Sequence, residues 1–310
     1  MTKFARTFGQ DLMRGEHTVG GGQVNAPAKT RPAPGGGGGG GGAWLGGPKT
    51  ASTEKFASKA IGTTGWMNEK GLSGGCSDGD QAVASGTSIF DPVLTELCYK
   101  WFCPPAGQIL DPFAGGSVRG IVASVLGFQY QGHELRGEQV AANSAQGLQI
   151  CPANAPVWVC GDSLTTIPAW QGSADFVFSC PPYGDLEVYS DMPEDLSALA
   201  HDDFLVAYRA IIAASVAKLK PDRFACFVVG DYRCKKGFYR NFVGETVAAF
   251  EAAGARFYNE AILVTAVGSL PIRITKQFKS GRKLGKTHQN ILVFCKGDPK
   301  KATQAIEAAA

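Results

Sequence analysis

The chain has 310 residues, of which 44 % are hydrophobic and 18 % are charged, so it can bury a sizeable core and wholesale disorder is excluded. Its 30 basic and 27 acidic side chains give a net charge of only +3, so any nucleic-acid signal must be local. No segment approaches the roughly 18 consecutive apolar residues of a membrane span, and the N-terminus lacks the pattern of a secretory signal. The nine cysteines are scattered and form no CxxC pair, so we expect a reduced, cytoplasmic protein without a metal site.

The N-terminal part of the chain differs in composition from the rest. Thirteen of the 41 glycines lie between positions 20 and 47. We therefore interpret residues 1–53 as a flexible Gly/Pro-rich region, in preference to a defined binding arm. Residues 54–87 are rich in turns and carry no long periodic pattern, which indicates an irregular accessory segment. The main domain is expected at 88–299, followed by a C-terminal tail at 300–310.

Strands and helices alternate from Asp91 onward, where an N-cap aspartate precedes a proline at the first helical position. The predicted strands are 108–111, 128–134, 157–160, 175–179, 224–230, 255–267 and 290–295. The predicted helices are 91–102, 118–126, 138–148, 204–219 and 238–253. This alternation predicts an α/β fold, in which a doubly wound, mostly parallel, seven-stranded sheet carries helices on both faces.

A glycine turn follows the first predicted strand, where doubly wound sheets bind their ligands. The turn reads Asp111-Pro112-Phe113-Ala114-Gly115-Gly116-Ser117. About twenty residues later a strand ends in Glu134, whose carboxylate can accept both hydroxyls of a ribose. Asp162 and Ser163 follow the third strand and could take an adenine amino group. We favour a nucleoside-bearing cofactor over a mere tight turn. The turn is neither GxGxxG nor a Walker loop, so a dinucleotide or a triphosphate is the weaker choice.

The segment Cys180-Pro181-Pro182-Tyr183 ends a buried apolar strand. Prolines have no N–H to donate, so the strand stops here and the turn's carbonyl oxygens are left to accept from another group. Two acceptors that grip an exocyclic amino group would favour a pyramidal, nucleophilic nitrogen, while Tyr183 stacks on the ring. Such a grip tightens as charge develops, so it should affect rate more than binding. The alternative is a proline-terminated strand with a packed tyrosine.

Together these motifs resemble the S-adenosylmethionine-dependent amino methyltransferases of DNA, which act on adenine N6 or cytosine N4. The resemblance covers about residues 86–297 and rests on the paired Asp-Pro-Phe-x-Gly and Pro-Pro-Tyr motifs. It implies a Rossmann-like methyltransferase sheet. The motif order resembles the subgroup with no recognition domain inserted between the two motifs, and chains of this kind are similar to phage-borne methylases. We therefore expect a phage-type enzyme of DNA methylation or restriction-modification that acts in a bacterial cell.

The resemblance also implies how the cofactor is held. The segment around Ser88 and Phe90 and the turn from Asp111 to Ser117 would hold its methionine end. Glu134 would take the ribose and Asp162 the adenine.

Cys180 departs from the family, whose first motif position is Asp, Asn or Ser. A neutral thiol is a weak acceptor, whereas a thiolate is a strong one. Three interpretations stay open: Cys180 is the acceptor, Ser179 reaches in by a small shift, or Cys180 attacks pyrimidine C6 for carbon methylation. The last ranks lowest because it needs a neighbouring acid.

Two segments near the expected site have opposite charges. Residues 271–288 contain six basic side chains and no acid: Arg273, Lys276, Lys279, Arg282, Lys283 and Lys286. We predict that this loop contacts phosphates, in preference to a solvated basic hairpin. Residues 184–203 contain acids and no Lys or Arg. They are either a lid in which Asp185, Glu187 or Tyr189 contacts an extruded base, or a solvated helix cap.

The sequence therefore predicts a DNA methyltransferase that modifies an exocyclic nitrogen of a flipped-out base. One alternative keeps the cofactor and changes the acceptor to RNA or a protein glutamine. Another is a non-catalytic DNA-binding subunit with a decayed site. Adenine and cytosine are not distinguished. With little chain left for a recognition domain, target recognition falls to residues 54–87, to the basic loop, or to a specificity partner or second copy.

Overall fold

A computed structural model describes residues 90–308, apart from positions 187, 266, 268 and 269, and at 185 and 273 it describes the backbone alone. Ser88, the glycine-rich region 1–53 and the accessory segment 54–87 thus lie outside the described residues. Among the helices that are described, none is long and apolar enough to cross a lipid bilayer.

The described residues form a seven-stranded sheet with the strand order β3-β2-β1-β4-β5-β7-β6. Its strands are β1 (Gln108–Asp111), β2 (Gln129–Glu134), β3 (Val157–Cys160), β4 (Ala174–Ser179), β5 (Leu219–Val229), β6 (Arg256–Val264) and β7 (His288–Lys296). The pairs from β3 to β5 are parallel, and β7 runs antiparallel to both β5 and β6. The predicted doubly wound, mostly parallel sheet is confirmed.

Helices cover both faces of the sheet. They are α1 (Pro92–Phe102), α2 (Val118–Val125), α3 (Gly137–Ile150), α4 (Ser163–Ala169), α5 (His201–Lys218), α6 (Phe242–Ala252), α7 (Leu270–Gly281) and α8 (Pro299–Glu307). Successive strand residues alternate between the faces. Ile109 and Phe176 share a buried cluster with residues of α1, α2 and α8. Leu110 and Val177 share the other cluster with residues of α5 and α6.

The same Asp-Pro start begins the first and the last of these helices. Asp91 accepts hydrogen bonds from the backbone N–H groups of two residues in α1, and Asp298 accepts from Lys300 in α8. The first start was predicted, but residues 300–310 were expected to be a tail. Instead α8 packs on the sheet, with Ala302 fully buried, so this part of the chain belongs to the domain.

The segment 271–288 was expected to be a loop, and that expectation was wrong. Most of it forms α7, which leaves only positions 282–287 between the helix and β7. The apolar residues Leu270, Ile274 and Phe278 are spaced four apart, which is helical periodicity.

The helix expected from Phe238 begins only at Phe242. Gly237 and Asn241 both have left-handed backbone conformations, with φ of 92° and 53°, which a continuous right-handed helix cannot contain. The residues before Asn241 form a hairpin instead.

Replacing Phe294 tests the packing between β7 and α6. Its fully buried ring stacks on Phe250 with centroids 3.9 Å apart. We expect Phe294→Ala to lower the free energy of unfolding by about 3–5 kcal/mol, because it removes a large buried ring. Urea denaturation followed by circular dichroism measures this. Phe238→Ala, at a ring that is 73 % exposed, should change stability by less than about 0.5 kcal/mol. Equal effects of the two variants would contradict this core.

Candidate active site

The carboxyl ends of β1, β2 and β3 meet at one edge of the sheet, as parallel strands require, and hydrogen bonds join the turns that follow them. The N–H of Gly115, after β1, donates to Glu134 Oε2 at the end of β2 over 3.0 Å. The hydroxyl of Ser163, after β3, donates to the carbonyl of Pro112 over 2.7 Å. Segments that were predicted separately from the sequence therefore form one continuous site.

The top of the β1 turn is open. Gly115 has φ +53°, and a Cβ placed at Gly115 or Gly116 would meet no other atom within 4 Å. The turn is supported from the side by Asn143, which donates to the Gly115 carbonyl over 2.8 Å. Ser117, at the start of α2, bonds through its hydroxyl to Gln146 of α3. A ligand can therefore approach the backbone of this turn closely.

Glu134 and Asp162 are both held in place by backbone donors. Besides Gly115, Glu134 accepts from the N–H and the Nε of Arg136, over 3.1 and 3.3 Å. Asp162 accepts through Oδ1 from the Leu164 N–H over 2.9 Å and so caps α4, while remaining partly exposed. Two oriented carboxylates thus follow neighbouring strands, where the sequence placed ribose and adenine contacts.

Asp111 was expected to contact the cofactor, but its carboxylate is fully buried beneath the turn. Arg119 forms an ion pair with it over 2.6 Å, and the hydroxyls of Tyr130 and Ser179 donate to it over 2.9 and 2.5 Å. The Phe113 N–H also lies 3.2 Å from Asp111 Oδ1. Asp111 therefore fixes the shape of the turn and offers no exposed oxygen to a ligand.

Arg119 was missed by the sequence analysis. Its guanidinium is buried and also donates to the carbonyls of Phe113 and Ala114, over 2.5 and 2.9 Å. Burial by itself would lower the pKa of Arg119, but the adjacent Asp111 raises it above its ordinary value. An arginine in the otherwise apolar stretch of α2 was the available signal. Phe90 joins this group, because Arg119 Cζ lies 4.8 Å from the centre of its ring.

The Cys180–Tyr183 turn begins where β4 ends, beside the β1 turn. Every residue of β4 is buried, and the strand stops before Pro181, which is also buried. Cys180 packs, like Phe90, against the cluster on the α1 face. It also lies close enough to Arg119 to raise the pKa of that side chain. The predicted catalytic turn and the predicted cofactor turn are therefore neighbours.

Ser179 does not fit the role of substitute acceptor. It is fully buried, it donates to Asp111, and it accepts from the Phe113 N–H over 3.2 Å. A shift toward an acceptor base would break both hydrogen bonds and leave Asp111 short of a partner. The interpretation in which Ser179 replaces Cys180 is therefore contradicted.

The side chain of Tyr183 is held in place by its neighbours. Its ring packs edge-on against Tyr232 and Phe242, with centroid distances of 6.2 and 5.8 Å. Its hydroxyl accepts from Gln289 Nε2 over 3.0 Å. Burial raises the pKa of Tyr183 well above its usual value, and the nearby Cys180 adds to this, so the hydroxyl stays protonated.

The six basic residues of 271–288 do not act as one loop. Lys276, Lys279 and Arg282 are exposed on α7 or just after it. Lys283 instead packs over the backbone of Gly237.

Lys286 and the hydroxyl of Tyr183 both lie near Gly230. A Cβ placed at Gly230 would lie 3.5 Å from Lys286 Nζ and 3.7 Å from the Tyr183 hydroxyl. Burial lowers the pKa of Lys286, although Asp231 opposes that change. Lys286 therefore lies in the neighbourhood of Tyr183, while Arg273 has only its backbone described.

The acidic segment 184–203 contains one buried carboxylate that is hydrogen-bonded within the segment. Asp195 is buried and accepts from the N–H and hydroxyl of Ser197 and from the hydroxyl of Ser190. Asp202 and Asp203 are exposed in the first turn of α5, whose N-cap position, Ala200, makes no side-chain hydrogen bond. Tyr189 is 40 % exposed, while the side chains of Asp185 and Glu187 lie outside the described residues.

The chain matches no protein-family model and no curated protein. Among solved structures it is similar to the [4+2]-cyclase SpnF, with 12 % identity, a TM-score of 0.47 and coverage of 66 % of this chain and 81 % of that one. It is also similar to a putative sarcosine dimethylglycine methyltransferase from Galdieria sulphuraria, with 15 % identity, a TM-score of 0.45 and coverage of 66 % of this chain and 83 % of that one. The similarity to TrmN from Thermus thermophilus has 14 % identity and a TM-score of 0.43. It covers 66 % of this chain and 48 % of TrmN, so the match spans about half of TrmN. At such values the function has to be argued from the site.

Replacing Arg119 tests the buried ion pair. We expect Arg119→Met to lower the free energy of unfolding by about 3–5 kcal/mol, because it leaves the Asp111 carboxylate buried without its cation. Arg209→Met is the matched control: it breaks the half-exposed pair with Glu245, which is worth about 0–1 kcal/mol. Chemical denaturation of both variants supplies the comparison. If Arg119→Met costs no more than the control, the ion pair does not hold the turn.

Proposed function

We propose that this protein is an S-adenosylmethionine-dependent methyltransferase that modifies an exocyclic amino nitrogen of a DNA base, adenine N6 or cytosine N4. The observation that carries the proposal is the link between the two predicted turns. Ser179, the last residue of β4, bonds both to Asp111 and to the Phe113 N–H. A nucleoside-bearing group on the β1 turn would therefore lie beside the Cys180–Tyr183 turn.

The described residues fit this cofactor. The open glycine backbone at Gly115 and Gly116 leaves room for it, and Glu134 and Asp162 provide carboxylates for a ribose and an adenine. Phe90 borders the same turn through Arg119. When bound, S-adenosylmethionine supplies a methyl group on a positively charged sulfur for transfer to the amine. The chain's own contribution is to hold donor and acceptor in one orientation.

The acceptor side depends on the proline turn. The carbonyl oxygens of Cys180 and Pro181 are not committed to a following strand, because Pro181 and Pro182 cannot continue the sheet. In the proposed mechanism one side chain and the proline carbonyl accept from the two amino hydrogens, which favours a pyramidal nitrogen whose lone pair can attack the methyl group, and Tyr183 stacks on the base. Transfer is direct and forms no covalent enzyme–base intermediate.

Cys180 contributes from within this turn. Ser179 is committed to Asp111, so we assign the role of side-chain acceptor to Cys180, which stands at the family's acceptor position. Cys180 lies close enough to the buried guanidinium of Arg119 to raise the pKa of Arg119. We place attack by Cys180 on pyrimidine C6 behind nitrogen methylation.

Tyr183→Ala and Pro182→Ala test the acceptor turn. We expect both to reduce methyl transfer at least about 100-fold, since they remove the stacking wall and the rigid corner, while the Kd for S-adenosylmethionine changes less than about threefold. Transfer of labelled methyl groups to unmethylated plasmid DNA measures the rate, and calorimetry measures cofactor binding. Tyr258→Ala, on the outer strand β6, is the control. Normal transfer by both site variants would disprove the assignment.

The product identifies the acceptor. Plasmid DNA treated with the wild-type enzyme is digested to nucleosides, and mass spectrometry separates N6-methyladenine, N4-methylcytosine and 5-methylcytosine. A 5-methylcytosine product would instead support attack by Cys180. Methylation of RNA or of a protein glutamine but not of DNA would favour the alternative acceptors, and cofactor binding without transfer would favour a non-catalytic subunit.

Glu134→Ala tests the cofactor side. Loss of a carboxylate that accepts from ribose hydroxyls, and that also holds Gly115, should weaken S-adenosylmethionine binding by about ten- to hundredfold. Calorimetric titration of the full chain gives the Kd. Glu138→Ala is the matched control, because Glu138 lies four residues further on with its side chain 76 % exposed. Equal affinities of the two variants would show that Glu134 does not contact the cofactor.

A further inference from the structure

A short hairpin follows β5 and was not recognised from the sequence. It comprises Tyr232–Arg240 and is named here the β5 hairpin. The Arg240 N–H donates to the Tyr232 carbonyl over 2.9 Å, and the Cys234 N–H donates to the Phe238 carbonyl over 2.8 Å. Gly237 supplies the left-handed residue that a three-residue hairpin loop needs, with φ +92°. The loop therefore has a defined shape.

The β5 hairpin combines positive charge with an exposed aromatic ring. It contains four basic residues and no acid: Arg233, Lys235, Lys236 and Arg240. Lys235 and Lys236 are exposed, and the adjacent Phe238 is 73 % exposed. Arg233 is held above the ring of Tyr239, with Cζ 3.8 Å from its centre. A large apolar ring left in water among cations is typical of a surface that binds an anionic, aromatic partner.

The electrostatics of the loop agree with this interpretation. Backbone N–H groups, first that of Phe238 and then those of Lys236 and Gly237, lower the pKa of the Cys234 thiol, and Arg240 adds to the effect. Fixed dipoles and cations at this loop therefore stabilise negative charge. Phosphate groups are the anions that such a surface would meet on a nucleic acid.

The base of the β5 hairpin is joined to the Cys180–Tyr183 turn. The ring of Tyr232 packs edge-on against Tyr183, and its hydroxyl lies directly against the backbone of Gly184. β5 itself pairs with β4, which ends at that turn. A group bound along the hairpin would therefore lie next to the proposed acceptor site.

The tip of the β5 hairpin meets the basic segment after α7. Lys283 packs over Gly237, and a Cβ placed there would lie 2.9 Å from Lys283 Cε. Arg282 follows on the exposed end of α7. The hairpin thus connects the predicted phosphate contacts with the acceptor turn in one basic surface, on a chain whose net charge is only +3.

We propose that the β5 hairpin is a DNA wedge: its basic side chains bind phosphates beside the target nucleotide, and Phe238 enters the base stack as the target base leaves it. The inference rests on the proposed function and adds the residue that stabilises the extruded state. An inserted apolar side chain offsets part of the cost of unstacking, which is a few kcal/mol.

The binding experiment does not depend on methyl transfer. Binding of a fluorescein-labelled duplex DNA is measured by anisotropy over a range of salt concentrations. The variant Lys235→Ala/Lys236→Ala should bind more weakly, and the slope of log Kd against log salt should fall by about 0.9 for each lost phosphate contact. Lys300→Ala/Lys301→Ala, at an exposed lysine pair on α8, is the matched control. An unchanged slope in the hairpin variant, or tighter binding of structured RNA than of duplex DNA, would overturn the proposal.

The wedge experiment uses a duplex oligonucleotide taken from plasmid positions that the wild-type enzyme methylates. Phe238→Ala should lower kcat/KM on this duplex at least about tenfold, and on the same duplex with a mismatch at the target base less than about threefold, since the mismatch already weakens pairing. Phe238→Trp keeps a large aromatic ring and should therefore retain activity close to that of the wild-type enzyme on the matched duplex.

Equal losses on both duplexes, or no loss, would disprove the wedge. If the wild-type enzyme methylates no DNA, the proposed function fails, and the salt dependence decides separately whether the hairpin binds DNA.

Discussion

The buried carboxylate of Asp111 is the constraint on which this site depends. A charge in a protein interior is tolerated only when its cost of desolvation is offset by a complete set of partners. Here those partners come from three elements: Arg119 from α2, Tyr130 from β2 and Ser179 from β4. Satisfying one carboxylate therefore joins the ends of β1 and β4 to β2 and α2. The glycine turn above it takes its shape from these contacts.

The bond between Ser179 and Asp111 also decides the orientation of Cys180. Neighbouring residues of an extended strand point to opposite faces, so β4 can direct Ser179 toward Asp111 only by directing Cys180 away from it. The thiol accordingly packs in the cluster on the α1 face. Cys180 thus departs from the Asp, Asn or Ser that the motif resemblance implies, while the other three positions of the turn, Pro181, Pro182 and Tyr183, agree with that motif.

Local signals in the sequence predicted what local physics decides. The Asp-Pro start of α1, the proline end of β4 and the strand–helix alternation were all read correctly. The spacing of Leu270, Ile274 and Phe278 also indicates α7, but the loop was predicted from the density of basic residues. What sequence could not supply were partners distant along the chain. Gln289 bonds Tyr183 from 106 residues away, and only the folded sheet, in which β7 and β4 flank β5, makes that pair visible.

Acidic and basic side chains lie on different segments around the acceptor turn, and they differ in the partners that surround them. In the segment 184–203, Asp195 takes hydrogen bonds from its own neighbours, and Asp202 lies at a helix start, where backbone N–H groups attract a carboxylate. Asp195 is therefore stabilised within its own segment, whereas Asp191, Glu194, Asp202 and Asp203 stay exposed to solvent. Lys235 and Lys236 are exposed at a turn whose own N–H groups add positive potential. A polyanion that approaches this edge of the sheet consequently meets exposed cations on the β5 hairpin and exposed carboxylates on the segment 184–203, so the two segments direct it toward the hairpin although the chain as a whole is almost neutral.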